Sequence, residues 1–285
     1  MKKFQCDTEH DCSIIIDSIK IHLDNINKRV KILDSSNISN QALEKIIDFA
    51  RANQAGKIIG NSKISDVKIF TEAGFCIEGK INGFFKGIDA YCLSYFIDSK
   101  RKIAADSVEE DMLINRCLKI RGKYIAGGSN TLSYSIRTAT RKDIGEIVAL
   151  FSTVFSTYPT PVFDEDYISQ TMNGKILYKV AELEGKIIGI ASADMDIENL
   201  NAEMTDCATY PEYRGKGILS NIINELELEL KNRNFITLYS LSRAINIGIN
   251  MVLCKHEYKY SGRLLKNCNI CGAFEDMNIW TKRIH

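Results

Sequence analysis

The chain has 285 residues, 45% of them hydrophobic and 26% charged, the profile of an ordinary soluble protein with one large domain or two modest ones. A net charge of +1, with basic residues scattered rather than clustered, gives no footprint for nucleic acid or for an anionic membrane. Three prolines leave no room for a Pro-rich linker, and nine dispersed cysteines fit free thiols in a reducing cytosol better than a disulfide framework.

The start, Met1-Lys2-Lys3-Phe4-Gln5-Cys6-Asp7, faintly resembles a signal n-region, but Glu9, His10 and Asp11 follow instead of an apolar core. Ile14-Ile15-Ile16 is too short to span a membrane. The expectation is a cytoplasmic chain with no export or membrane segment. Residues 14–22 and 28–33 read as strands joined by a turn at Asn25–Asn27. Residues 40–50 form an amphipathic helix, 57–62 a strand, and 66–73 a helix stopped by Gly74. Two more strands, 75–80 and 90–97, complete an N-terminal α/β domain over 1–98. The charged, helical stretch 99–120 opens a linker that runs to 132.

The remainder, 133–285, reads as a second α/β unit. A strand at 133–139 leads through Thr140-Arg-Lys-Asp143 into a helix carrying Ile144, Ile147, Val148 and Phe151 on one face. Pro159 and Pro161 make 156–166 irregular, and a short helix follows at 167–172. Strands at 176–183 and 186–193 flank the two-residue hairpin signal Glu184-Gly185. Then come a strand at 202–209, a helix at 218–233, a strand at 235–242, a helix at 246–256, and strands at 258–265 and 274–282. The β-α-β-β series of the N-terminal half mirrors this closing series. Phe75-Cys-Ile-Glu-Gly79 follows its helix as Tyr258-Lys-Tyr-Ser-Gly262 follows its own. A degenerate half-repeat is therefore one reading of the N-terminal half.

Between the 202–209 strand and its helix lies Thr209-Tyr-Pro-Glu-Tyr-Arg-Gly-Lys-Gly-Ile218. A glycine-rich turn at a helix start offers free backbone N–H groups and the positive end of the helix dipole to a phosphate. Arg214 and Lys216 add charge, and Gly215 and Gly217 let the backbone approach closely. A plain surface turn accommodates the same tetrapeptide. Neither a P-loop nor a dinucleotide fingerprint is present. The order strand, Arg-x-x-Gly-x, amphipathic helix resembles the acetyl-CoA pyrophosphate loop of the GNAT N-acetyltransferase superfamily. Arg214 and Gly217 match its pattern, and Leu219 departs from the usual small residue. The resemblance covers 133–284 and implies the GNAT fold, a mixed twisted α/β (α+β) sheet flanked by helices. It implies acetyl-CoA as co-substrate, held by Arg214 to Leu219 (Gly215, Lys216, Gly217 and Ile218 between them) and by Asn246. No phosphate turn precedes Lys57, so the N-terminal half is not expected to bind CoA.

Acyl transfer to an amine needs a base, because only the neutral amine attacks and a lysine-type amine has a pKa near about 10.4. The resemblance puts Glu203 at the position of the family's general base, although a solvent-facing strand glutamate is the alternative. Asp206 is the second candidate. Strand alternation sets the two on opposite faces unless a bulge intervenes. The oxyanion would meet a backbone N–H near Cys207, Ala208 and Thr209. The resemblance puts the family's tyrosine acid at Leu253, so the usual acid is missing, and Tyr258 or Tyr260 is named in its place without a motif to support either. Arg243, after Ser240, could pair with an acceptor carboxylate or simply cap a loop. Tyr158 and Phe163 could wall an aliphatic acceptor, with Asp194 among the acidic residues bordering it. Cys268 and Cys271 have ligand spacing but lack two further partners, so no metal is expected.

Several blocks together resemble one group, the β-lysine N-acetyltransferases. They include Phe155-x-x-Tyr-Pro-x-Pro161, Ala202-Glu-Met-Thr-Asp206, Ser240-Leu-Ser-Arg-Ala244, Asn278-Ile-Trp280 and Gly83-Phe-Phe-Lys-Gly-x-Asp-Ala90. That resemblance implies transfer to the terminal amine of β-lysine, giving a neutral compatible solute. Lysine or a polyamine is the alternative acceptor. A non-catalytic acyl-CoA sensor is the alternative of another kind, resting on Leu219 and Leu253. The expected partner is a small-molecule amine, with no nucleic acid or membrane and with a homodimer allowed.

Overall fold

The computed structural model describes residues 11–122, 132–172 and 174–285. The n-region-like start and residues 123–131 of the expected linker lie outside them. Strands β1 (Cys12–Ile16), β2 (Ile19–Asp24) and β3 (Arg29–Ile32) form an antiparallel meander. The single strand expected over 14–22 is broken at Asp17-Ser18, whose φ values of 46° and 70° make a two-residue hairpin. Neither residue is glycine, so the turn left little trace in the sequence.

Helix α1 (Asn40–Ala52) starts where the Ser39 hydroxyl accepts the Ala42 N–H at 3.1 Å. It carries the chain across to β4 (Lys57–Ser62), which runs parallel to β3. Helix α2 (Ile64–Glu72) then leads into the hairpin β5 (Cys76–Phe85) and β6 (Ile88–Phe96), and β6 inserts between β4 and β5. Helix α3 (Ser107–Leu118) follows.

The second half opens with β7 (Ser135–Thr138) and α4 (Ile144–Val154), joined by a capping box between Thr140 and Asp143. Next come α5 (Glu165–Met172) and the antiparallel strands β8 (Ile176–Leu183), β9 (Lys186–Asp196) and β10 (Asn201–Thr209). Helix α6 (Ile218–Asn232) crosses to β11 (Thr237–Arg243), which runs parallel to β10. Helix α7 (Ile247–Lys255) and the hairpin β12 (Lys259–Ile270) and β13 (Ala273–Arg283) close the chain. Leu226, Leu230, Ile222 and Ile223 of α6 are fully buried against the sheet, each contributing about 1.5–3 kcal/mol.

The described strands form one sheet in the order β1-β2-β3-β4-β6-β5-β12-β13-β11-β10-β9-β8-β7. The two halves share a plan: an antiparallel meander, a helical crossover to a parallel strand, a second helix, and a hairpin whose last strand packs inside. They meet edge to edge at Gly79 of β5 and Gly262 of β12. A Cβ on Gly79 would come within 2.9 Å of the Gly262 Cα and 2.8 Å of the Ser261 carbonyl oxygen. Only a glycine pair allows this approach. Lys57 reaches over the seam to the Leu265 carbonyl at 2.8 Å, and Arg29 to the Asn267 carbonyl at 2.8 Å.

Among the described cysteines, seven are free thiols, as expected, while Cys12 is disulfide-bonded, contrary to that expectation. No described helix is long and apolar enough to cross a membrane.

Candidate active site

The parallel strands β10 and β11 pair only from Asn201–Thr237 to Glu203–Tyr239, then part. Parting exposes the strand edges that face each other, and a cavity of about 560 Å³ opens between them. Ser240 fastens the fork, its hydroxyl donating to the Met204 carbonyl at 2.7 Å. Cys207, Ala208 and Thr209 line this cavity, on a stretch of β10 with no β11 partner.

The phosphate-type turn closes its far end. Pro211–Tyr213 makes one tight turn, and Arg214 is held by its Nε donating to the Thr209 carbonyl at 3.2 Å. Gly215 and Gly217 both have left-handed φ, 76° and 75°, which a side chain would strain. Gly217 is the residue that starts α6, and no side chain caps the helix there. Arg214, Gly215, Gly217, Ile218 and Leu219 line the cavity. Lys216 does not line it, its ammonium lying 5.2 Å from the Tyr213 ring centre. Asn246 also lines the cavity and caps α7, accepting the Gly248 N–H at 3.0 Å. A cavity bordered by uncapped helix N–H groups suits a pyrophosphate.

A second cavity, of about 920 Å³, lies on the other side of the fork and is walled by both halves of the chain. Tyr158, Thr205, Asp206, Leu241, Ile270 and Met277 line both cavities, so the two meet there. Glu203 and Asp206 both face the second cavity. Three residues apart, they would oppose each other on a regular strand. The pairing of β10 with β9 is interrupted between Thr205 and Ala208, and Asp206 takes a φ of 46°. This bulge brings both carboxylates to one side.

Their surroundings favour the neutral acid. Burial, then the charges of Asp194 and Asp206, pushes the Glu203 pKa up to about 7. Burial likewise raises Asp206 to about 6, against hydrogen bonds from Ser192 and Tyr158 that lower it. Ser192 Oγ donates to Asp206 at 2.9 Å, and Tyr239 donates its hydroxyl to Glu203 at 3.3 Å. Sequence reasoning missed both partners. The signal for Tyr239 is its register, directly beside Glu203 on the parallel strand.

The other expected site residues divide. Tyr158 and Asp194 line the second cavity. Phe163 lines neither cavity and is 37% exposed, because the loop turns its ring outward. Arg243 lies on the groove side and pairs with Glu275 at 2.6 Å, so its placement does not fit an acceptor-carboxylate anchor. Tyr258 is fully buried in the core and lines neither cavity, so its placement does not fit a proton donor to the leaving group. Leu253 is also core. Cys268 is buried and Cys271 exposed, and the described residues hold no metal-ligating cluster.

Residues 144–247 match the acetyltransferase (GNAT) family. A beta-lysine N(6)-acetyltransferase of Methanosarcina mazei is 36% identical over 80% of this chain and 94% of its own length. Another protein of that name, from Methanococcus maripaludis, is 31% identical over 94% of this chain and 97% of its own. The N-acetyltransferase YodP of Bacillus subtilis is 34% identical over 92% of this chain and 94% of its own. The parted parallel strands, the glycine turn at the start of α6 and these near full-length likenesses lead to one conclusion: the chain belongs to the GNAT family of acetyl-CoA-dependent N-acetyltransferases.

Proposed function

We propose that this enzyme transfers the acetyl group of acetyl-CoA to the terminal amine of β-lysine, giving N6-acetyl-β-lysine, with Glu203 as general base. The observation that carries this reading is the position of Glu203: it faces the acceptor-side cavity, one strand position before β10 and β11 part, and its pKa is raised to about 7. A base titrating near neutrality is matched to removing a proton from a bound ammonium. Asp206, at the meeting of the two cavities, and Asp194 supply the negative field that draws the ammonium in.

Acetyl-CoA supplies an activated thioester carbonyl. The amine nitrogen attacks that carbon, the C–N bond forms and the C–S bond breaks. Glu203 takes the proton lost by nitrogen, and the CoA thiolate leaves and is protonated. The names of two relatives support β-lysine over other amines. The product, with its terminal amine neutralised, is a zwitterion suited to serve as a compatible solute in the cytoplasm, where acetyl-CoA is available.

The test is CoA release from acetyl-CoA with β-lysine, α-lysine, spermidine and a lysine-containing peptide. Turnover should be fastest with β-lysine. Equal or faster turnover of spermidine or the peptide would contradict the acceptor. Tight acetyl-CoA binding with no turnover on any amine would contradict catalysis and favour a sensor.

A further inference from the structure

The two halves of the chain bring different charges to the second cavity. Asp194, Asp196 and Glu198 of the second half line it together with Glu203 and Asp206. From the first half, Arg29, Lys31 and Lys63 line it, with Asp34 and Asp66. These cations are not equivalent. Arg29 is buried and spent, its Nε on Asp24 at 2.8 Å and its Nη1 on the Asn267 carbonyl at 2.8 Å. Lys63 lies 5.5 Å from the Phe85 ring centre. Lys31 has its side chain 34% exposed and touches Asp24 at 3.2 Å.

Asp24 does not need Lys31. It also accepts from Asn27 Nδ2 at 2.8 and 2.9 Å, in addition to its bond from Arg29. Although burial pushes Asp24 up, Arg29 and Lys31 hold its pKa down at about 2, so it carries one negative charge against two positive ones. The cluster is thus left with one uncompensated positive charge beside the cavity. Lys31 also lowers the Glu203 pKa, so its charge is felt at the proposed base. Asp34, at the same rim, is turned onto the Ser36 N–H at 2.8 Å.

We infer that Lys31, contributed by the N-terminal half, binds the carboxylate of the acceptor and makes this enzyme selective for a diamino acid over a diamine. The inference rests on the proposed reaction and extends it to the origin of substrate choice. An acceptor with a carboxylate at one end and an ammonium at the other suits a cavity whose cations come from the first half and whose second-half charges are all carboxylates. The N-terminal half then completes the acceptor site, without binding acetyl-CoA itself. Lys31 acts as a binding residue and takes no part in proton transfer.

The experiment compares β-lysine with β-lysinamide, which keeps the shape and both amines but loses the anionic charge. Steady-state kinetics are measured for the wild type, Lys31→Met and Lys31→Arg at saturating acetyl-CoA. The wild type should favour the acid over the amide by about 10- to 100-fold in kcat/KM, the range for a hydrogen bond to a charged group. Lys31→Met should raise KM for β-lysine by about ten-fold or more and bring the two acceptors within about three-fold of each other. The KM for acetyl-CoA should stay unchanged, which shows that the variant is folded, and Lys31→Arg should keep most of the preference. Equal loss for both acceptors in Lys31→Met, or a preference that survives it, overturns the inference. A wild type that acetylates β-lysine and its amide equally well overturns it while leaving the proposed reaction standing. A wild type inactive on every amine removes both.

Discussion

Tyr239 donates its hydroxyl to Glu203 at 3.3 Å, across the last register pair before β10 and β11 separate. The bond favours the ionised carboxylate, whereas burial and the neighbouring Asp194 and Asp206 favour the neutral acid. Removing the hydroxyl should therefore raise the Glu203 pKa further. In Tyr239→Phe the acid limb of the kcat/KM profile should move up by about 0.5–1 pH unit, with a similar plateau at high pH. A pH profile that does not move would separate Tyr239 from the proton equilibrium.

Glu203 also has a consequence for stability. Its folded pKa of about 7 lies above the ordinary 4.5. The folded state therefore holds the proton more tightly, and the stability this gives is full below the unfolded value and lost as pH rises through the folded one. Above neutrality the fold carries the cost of a half-buried anion, which Glu203→Gln removes. The variant should be more stable than wild type by about 1–3 kcal/mol near pH 8 and nearly equal near pH 4, by urea unfolding. Equal destabilisation at both pH values would show a merely structural carboxylate.

Gly217 starts α6 with φ 75°, and Gly215 has φ 76°. A β-branched residue at Gly217 should strain the turn by about 1–2 kcal/mol and crowd the uncapped N–H groups. Gly217→Val should raise the KM for acetyl-CoA by about ten-fold or more and leave the acceptor KM nearly unchanged. If both KM values rose together, the turn would not be specific to the CoA groove.

At the seam, Lys57 Nζ lies 2.6 Å from Glu78 Oε2, with side chains 0% and 5% exposed. Glu78 also accepts the Leu265 N–H at 2.7 Å, so it ties the first half to β12. Glu78→Ala leaves a buried unpaired ammonium and should cost about 3–5 kcal/mol. Lys57→Met with Glu78→Leu should recover much of that. A loss under about 1 kcal/mol in thermal or urea unfolding would mean that the seam relaxes around the charge.

The sequence carried the fold where a pattern is local. The apolar stripe marks the buried face of α6, and Asn246 and the Glu184-Gly185 hairpin mark element ends directly. The two glycines of the turn before α6 were legible for the same reason, because their conformation excludes most side chains. What stayed hidden depends on direction. Phe163 and Arg243 occur in the right segments, but a segment does not tell which way a loop turns or which side of the fork a strand end faces. No motif points to Tyr258, and it is core. Asp206 needed a bulge that no residue type announces. Lys31 lies more than one hundred and fifty positions before Glu203, and only the edge-to-edge joining of two half-sheets brings them to one cavity.

The most direct measurement is kcat/KM for the acceptor against pH, with saturating acetyl-CoA, for wild type and Glu203→Gln. With Glu203 as base, the wild-type rate falls about ten-fold per unit below a pKa near about 7, and the variant loses about 10²–10⁴-fold on the plateau and lacks that limb. A variant that keeps the wild-type plateau, or shows the same limb at the same pH, would contradict it.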